Sequence, residues 1–274
     1  MQKIDHLDNA YQSIRLIRKN LLIYVPDVSF LLLTFLLSAL FLYFNNLTHI
    51  FTGELDLFGQ GIKNILNSTP LLVKFIVSLL IIGAINLLVG LGTVTWRFTI
   101  IKDVINNGKI NFRKDWDEST HFLLPVLGLK AALLILYLIP AVLIFGIALI
   151  FKPSLFIVGT LLLVVFIIFR LLFLFSYPIM FLKNKRNPFE VLNEAFDYFK
   201  NNKSHTILTG LFILLISGII GILINTFIIV WGSVSGYVGL LTNIAILSLI
   251  FILIKNLIDI SVNLWSNIFI FKNY

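Results

Sequence analysis

Lys255, Asp259 and Asn263 succeed one another at four-residue intervals inside the last apolar stretch of a 274-residue chain. In a helix that spacing, with Ser248 before it and Ser266 after it, puts all of these polar residues on one face. An ionised side chain at mid-bilayer costs several kcal/mol against lipid, so the face is expected to look into a helix bundle or a wet cavity. Lys255 and Asp259 are one turn apart and can pair. Arg170 lies about twelve residues, or roughly 18 Å at the helical rise, from the C-terminal end of another apolar stretch. Asp259 has a similar depth, which predicts a bidentate Arg170–Asp259 contact between helices. Tyr177, seven residues after Arg170, is expected on the same face. Lys130 can snorkel, while Asp27 and Arg97 fall near one membrane boundary and could pair there. With Lys130, Arg170 and Lys255 set against Asp259 alone, a cavity would carry positive charge. It would favour an anion such as a lipid phosphate or an organic acid.

Catalytic chemistry has little to stand on. His6, His49, His121 and His205 belong to different segments, none in a metal-ligand spacing. Neither a P-loop nor a G-x-S-x-G elbow occurs, and the absence of cysteine excludes disulfides and thiolate chemistry. Asp115, Asp117 and Glu118, followed by His121, are the one cluster that could hold a cation. Their expected role is to cap and solvate the start of a helix. No catalytic residue, cofactor or metal site is therefore expected, and membrane hydrolysis would need a nucleophile and base that do not emerge.

The elements that must position these residues are apolar. At 59% hydrophobic and 12% charged residues, the chain is far from a soluble domain, where charges make up about a quarter. Six stretches, at about 25–44, 71–96, 122–150, 155–182, 207–231 and 241–269, reach the roughly 20 residues that ~30 Å of hydrocarbon demands. Fifteen Lys and Arg residues fall in alternate gaps, against Lys63 and Lys152 in the others. By the positive-inside rule the basic gaps and both termini are cytoplasmic, in a plasma or inner membrane. The same placement explains the net charge of +8 and the pI near 9.6, and no nucleic-acid motif accompanies it. No signal peptide is expected, because the first long apolar run lacks a small-residue cleavage site.

Three cytoplasmic segments carry amphipathic patterning just before a span and are read as elbow helices on the membrane surface. Residues 4–20 place Ile4, Leu7, Tyr11, Ile14, Ile17 and Leu21 at helical spacing beside Arg15, Arg18 and Lys19. Asn187-Pro188 offers an N-cap and first-turn proline for a helix with Phe189, Leu192, Ala195, Phe196 and Phe199 on one face. Residues 112–121 form the shortest of the three. On the outer side, residues 45–70 read as the one sizeable loop, with glycosylation-like triplets at Asn46 and Asn67. Small and polar faces in other spans, with Thr34 and Ser38, Asn86 and Gly90, or Gly210 and Gly221, are what close helix packing requires.

Arg170 to Pro178, a basic patch, and then Asn187-Pro188-Phe189-Glu190-Val191-Leu192-Asn193-Glu194-Ala195 before a long apolar span set an order of features. That order resembles the six-span membrane domain attached to some glycerophosphodiester phosphodiesterases and its stand-alone prokaryotic relatives. The specific part covers about residues 170–204, and the amphipathic entry into Pro26 also fits. Where that pattern often has a Ser-Trp-like pair, this chain has Phe196-Asp197, and the phosphodiesterase catalytic domain is missing. The resemblance implies a six-helix bundle with elbow helices in lipid-rich surroundings, and no hydrolase activity.

The expected fold is thus all-α, a polytopic membrane helical bundle forming a single domain over residues 1–274. The leading functional reading is a non-enzymatic multi-pass protein acting as scaffold, accessory or lipid-interacting domain. Its expected partners are anionic headgroups on the cytoplasmic side, protein partners or a second copy. A transporter of a small anionic or lipid-like solute is the runner-up, and a lipid-modifying membrane enzyme comes third.

Overall fold

The computed structural model describes residues 5–49, 55–151, 154–238 and 244–274, which are helical with no strand among them. The expected starting residue Ile4, together with Lys3, Lys152 and residues 241–243, lies outside the described residues, as does the side chain of Ser248. In chain order the helices are α1 (His6–Lys19), a 3-10 turn (Leu21–Tyr24), α2 (Val25–Phe44), α3 (Leu55–Asn67) and α4 (Thr69–Asn107). They continue with α5 (Phe112–Thr120), α6 (Leu123–Phe151), α7 (Leu155–Leu172) and α8 (Ser176–Leu182). The last three are α9 (Pro188–Asn201), α10 (Lys203–Val238) and α11 (Ile244–Asn273).

Five helical segments among the described residues are long and apolar enough to cross a membrane: Leu21–Phe44, Thr69–Asn107, Leu123–Phe151, Leu155–Leu182 and Lys203–Phe227. The chain therefore has the composition of a membrane protein. Several helices outrun the stretches expected of them. α4 has 39 residues, about 58 Å at the helical rise, against ~30 Å of hydrocarbon. Its final turns, with Lys102 and Asp103, therefore extend well past Trp96, the expected end. The region 45–70 also departs from expectation, because it contains helix α3. Phe58, Ile62 and Ile65 share one face of it, and Gly59 and Gly61 weaken the helical signal in the sequence.

Local chemistry explains where helices begin and end. The Asp5 carboxylate accepts from the backbone N–H groups of Leu7 (3.0 Å) and Asp8 (3.1 Å), satisfying donors at the start of α1. The Asn187 side chain accepts from Phe189 N–H at 3.0 Å and Pro188 occupies the first turn of α9, as predicted. Asn46 and Asn184 adopt left-handed backbone after α2 and α8, with φ of 57° and 53°. The next residue in each case closes a helix-terminating hydrogen bond, Leu47 N–H to Leu42 O (2.8 Å) and Lys185 N–H to Met180 O (2.9 Å).

The chain divides into two compact units. Unit one comprises Met1–Ile23, Thr95–Ile216 and Trp265–Tyr274; unit two comprises Tyr24–Val94 and Ser217–Leu264. Unit one has an aromatic core. Phe98 stacks on Tyr177 (4.5 Å) and Phe271 (5.5 Å), and Phe122 stacks on Phe181 (4.5 Å). Its two chain ends meet: Trp265 Nε1 donates to Ala10 O at 3.4 Å, and Asn9 Nδ2 donates to Asn273 Oδ1 at 3.1 Å. Gly210 and Gly128 mark close approaches, since an added Cβ would collide with Leu171 Cδ2 and lie 2.8 Å from Pro188 Cγ respectively.

Unit two is held by polar contacts between apolar helices. Thr34 Oγ1 donates to Asn86 Oδ1 (3.4 Å), Asn45 Nδ2 to Ser78 Oγ (3.0 Å) and Tyr24 OH to Ser261 Oγ (3.1 Å). Gly90 lets the Phe30 ring close in, 3.4 Å from where a Cβ would sit. The small and polar faces expected for α2 and α4 thus pack on each other.

Candidate functional site

The candidate residues singled out by spacing are distributed over both units. Arg170 occupies the last turn of α7 in unit one with an exposed side chain. Tyr177 follows on α8, beyond a turn at residues 173–175, so their seven-residue spacing does not run along one uninterrupted helix. It is half-buried and stacks on Phe98, over which the Arg97 guanidinium sits 5.3 Å from the ring centroid. Arg97 is buried and Lys130 is exposed, both in unit one. Lys255, Asp259 and Asn263 lie on α11 in unit two with exposed side chains, and Asp27 is buried in the same unit.

Among the described residues of unit one, ion pairs gather near the ends of helices. The three amphipathic segments there are helical, but they handle charge in different ways. On α1, Ala10, Ser13 and Ile17 are buried. Leu7 (71% exposed), Tyr11 (66%) and Ile14 (48%) point outward together with Arg15, Arg18 and Lys19. Tyr11, Ile14, Arg15, Arg18 and Lys19 line one shallow recess. A face that offers apolar groups and cations at once fits an interface with an apolar interior and anionic surface.

On α9, Val191, Leu192 and Ala195 are buried, whereas Phe189 (70%) and Phe196 (43%) are exposed, with Lys200 Nζ 5.7 Å from the Phe196 ring centroid. Glu194 pairs with Lys183 and, at 2.7 Å, with Lys185. Burial works to raise the Glu194 carboxyl, but these two lysines outweigh it and hold it below its ordinary range. Hydrogen bonding to Glu194 in turn raises the Lys183 ammonium.

On α5, the expected solvated acidic cluster is corrected. Asp117 is exposed, but Glu118 pairs with Lys102 and Asp115 is fully buried at 0% exposure. The N-cap is Asn111, whose Oδ1 accepts from Lys114 N–H (3.3 Å), and Asp115 Oδ2 accepts from Asn111 N–H (3.1 Å). The capping role holds; the solvated role does not, because Asp115 turns inward toward Asp103 of α4. Asp103 is itself only 4% exposed, and Lys114 Nζ lies 3.3 Å from its Oδ2. Burial, and then the Asp103 carboxylate, push the Asp115 carboxyl up to about 7. Beside this pair, Trp96 meets Trp116 edge-on at 5.1 Å. Sequence reasoning missed Asp103; its twelve-residue separation from Asp115 spans a helix end and a turn, so no helical periodicity links the two.

Two other groupings escaped the sequence. His6 stacks on His205 at 5.2 Å, and His205 Nε2 lies 2.7 Å from the Asn273 carbonyl oxygen. Burial lowers the His6 imidazole, and the charge of His205 adds to that. In unit two, Lys74 joins Asn45, Asn46, His49, Gln60 and Asn64 around a polar recess. Among the described residues no group of three or more His, Asp or Glu side chains could hold a metal ion.

Comparison with known proteins returns no matching family model, no matching curated protein and no matching solved structure.

Proposed function

We propose that the chain is a non-enzymatic multi-pass protein of the cell membrane that anchors anionic lipid headgroups through surface helices on its cytoplasmic side. In this reading α11 is a sixth span, both termini are cytoplasmic, and α1, α5 and α9 are elbow helices. The alternation of basic gaps supports the orientation, and the 30 residues of α11 exceed the roughly 20 a span needs. The resemblance of residues 170–204 to the membrane domain of glycerophosphodiester phosphodiesterases agrees with lipid-rich surroundings.

The outward face of α1 carries the proposal. Leu7, Tyr11 and Ile14 are exposed beside Arg15, Arg18 and Lys19, while the opposite face is used to pack on the rest of unit one. In water, three large exposed apolar side chains on one short helix would be a liability. At a bilayer surface they insert, and each cation contributes about 1 kcal/mol against anionic lipid. The test is lipid retention. Full-length protein extracted from membranes of mixed phosphatidylglycerol and phosphatidylcholine is expected to carry phosphatidylglycerol preferentially. The Arg15→Gln, Arg18→Gln, Lys19→Gln variant is expected to lose that preference, and equal retention by both proteins would refute the reading.

A further inference from the structure

We propose that Asp115 and Asp103 form a proton-binding site in which one proton is held between two buried carboxyl groups and ties α5 to the end of α4. The inference is independent of the lipid reading. Both side chains are shielded from solvent, at 0% and 4% exposure, and a neighbouring like charge disfavours ionising two shielded carboxyl groups together. Asp103 has a compensating cation, since Lys114 Nζ lies 3.3 Å from its Oδ2. Asp115 makes no direct ion pair among the described residues, and the charge of the same Lys114 offsets only part of its burial. Its Oδ2 accepts the Asn111 N–H, and its Oδ1 is buried with no donor reaching it. As a carboxylate, Asp115 would leave that oxygen orphaned inside the protein at full desolvation cost. As a carboxylic acid, Asp115 can donate its O–H to the neighbouring Asp103 carboxylate, and the orphan disappears.

Charge balance selects a proton over a metal ion. Asp103 as carboxylate, Lys114 as ammonium and Asp115 as neutral acid sum to zero. A divalent cation between two carboxylates would leave Lys114 in excess and compete with it for Asp103. Of the neighbouring charged residues on the same two helices, Lys102 of α4 and Glu118 of α5 pair with each other. Lys114 stays charged, its ammonium raised by the hydrogen bond to Asp103.

The sign of the pH dependence follows. The Asp115 carboxyl sits at about 7 in the folded protein, against about 3.9 for an unperturbed aspartate. The folded state therefore holds a proton that the unfolded state has released between about pH 4 and 7, so stability falls as pH rises through that window and is level above it.

The test uses the full-length chain in nanodiscs of a zwitterionic phospholipid, so that its outcome does not depend on anionic headgroups. Infrared difference spectra taken from about pH 5 to about pH 9 should show one protonated-carboxyl stretch lost in the wild type, with a midpoint at about 7, and absent from Asp115→Asn. Asp115→Asn should melt like the wild type at about pH 5 and above it at about pH 8, because the amide copies the protonated acid. In Asp103→Asn the midpoint should move down, since the like charge beside Asp115 is gone. Loss of the same band in Asp115→Asn, identical pH dependence of melting in both proteins, or an unchanged midpoint in Asp103→Asn would each overturn the site. So would calcium or magnesium raising the wild-type melting temperature at about pH 8 while leaving Asp115→Asn unmoved, which would make the ligand a divalent cation.

Discussion

Helices α1 and α5 are both short, amphipathic and rich in charge, yet they handle charge in opposite ways. α1 keeps Arg15, Arg18 and Lys19 outside with Leu7, Tyr11 and Ile14, and buries only small or aliphatic groups. α5 leaves Trp116 half-exposed and turns Asp115 completely inward. Exposed cations at a surface hold their charge at any ordinary pH and cost little to move. A buried carboxyl beside another must take up a proton or lose stability. On the proposed reading, the same amphipathic pattern makes a docking surface in one place and a titratable joint in another. The deciding factor is what the helix packs against.

The largest expected effect tests whether α5 is fixed by its surroundings. Phe122, which follows α5, is fully buried and stacks on Phe181 at 4.5 Å. Phe122→Ala should cost about 3–5 kcal/mol of stability, readable by thermal melting in nanodiscs. Tyr11→Ala on α1 removes an equally large aromatic that is 66% exposed. Its effect on melting should be well below that of Phe122→Ala, because Tyr11 packs on no protein core, and comparable losses for the two would erase the contrast.

Next comes lipid affinity. Neutralising Arg15, Arg18 and Lys19 together should weaken binding to anionic lipid by about 3 kcal/mol in total. Titration with lipid of defined charge would show it, and raising salt should shrink the difference. Smaller is the pH term of α5. Between about pH 5 and 8 the wild type should lose about 1–3 kcal/mol relative to Asp115→Asn, the range for an orphaned buried polar group. The smallest effect belongs to α9. Lys185→Ala removes one of two lysines on Glu194, the other being Lys183, so melting should not move measurably. A large loss there would mean that exposed pairs carry more than the comparison allows.

Much of the helical framework was legible because apolar length and capping chemistry are local. The stretch from Val25 to Phe44, the Asn187-Pro188 start of α9 and the Thr34 and Asn86 packing faces could all be read from spacing alone. α3 was not, because Gly59 and Gly61 interrupt the pattern that Phe58, Ile62 and Ile65 set up. The continuation of α4 past Trp96 was hidden by the return of polar residues, which ends a hydrophobic stretch without ending a helix. Of the candidate residues, the outward placement of Leu7, Tyr11 and Ile14 follows from periodicity, whereas Ile17, expected on the same face, is buried with Ala10 and Ser13. The Asp103–Asp115 pair does not, since it depends on how the chain folds back after Gly108, whose left-handed φ of 69° lies between them. Such contacts are tertiary, and a single sequence carries no period that announces them.

The central claim, that α1 rests on anionic lipid, is tested most directly by a photo-cross-linking residue at position 14 in place of Ile14. The full-length chain would be reconstituted in an equal mixture of phosphatidylglycerol and phosphatidylcholine. Adducts should form with lipid and favour phosphatidylglycerol. Reaction with water alone, or lipid adducts in the proportions of the mixture, would contradict the claim.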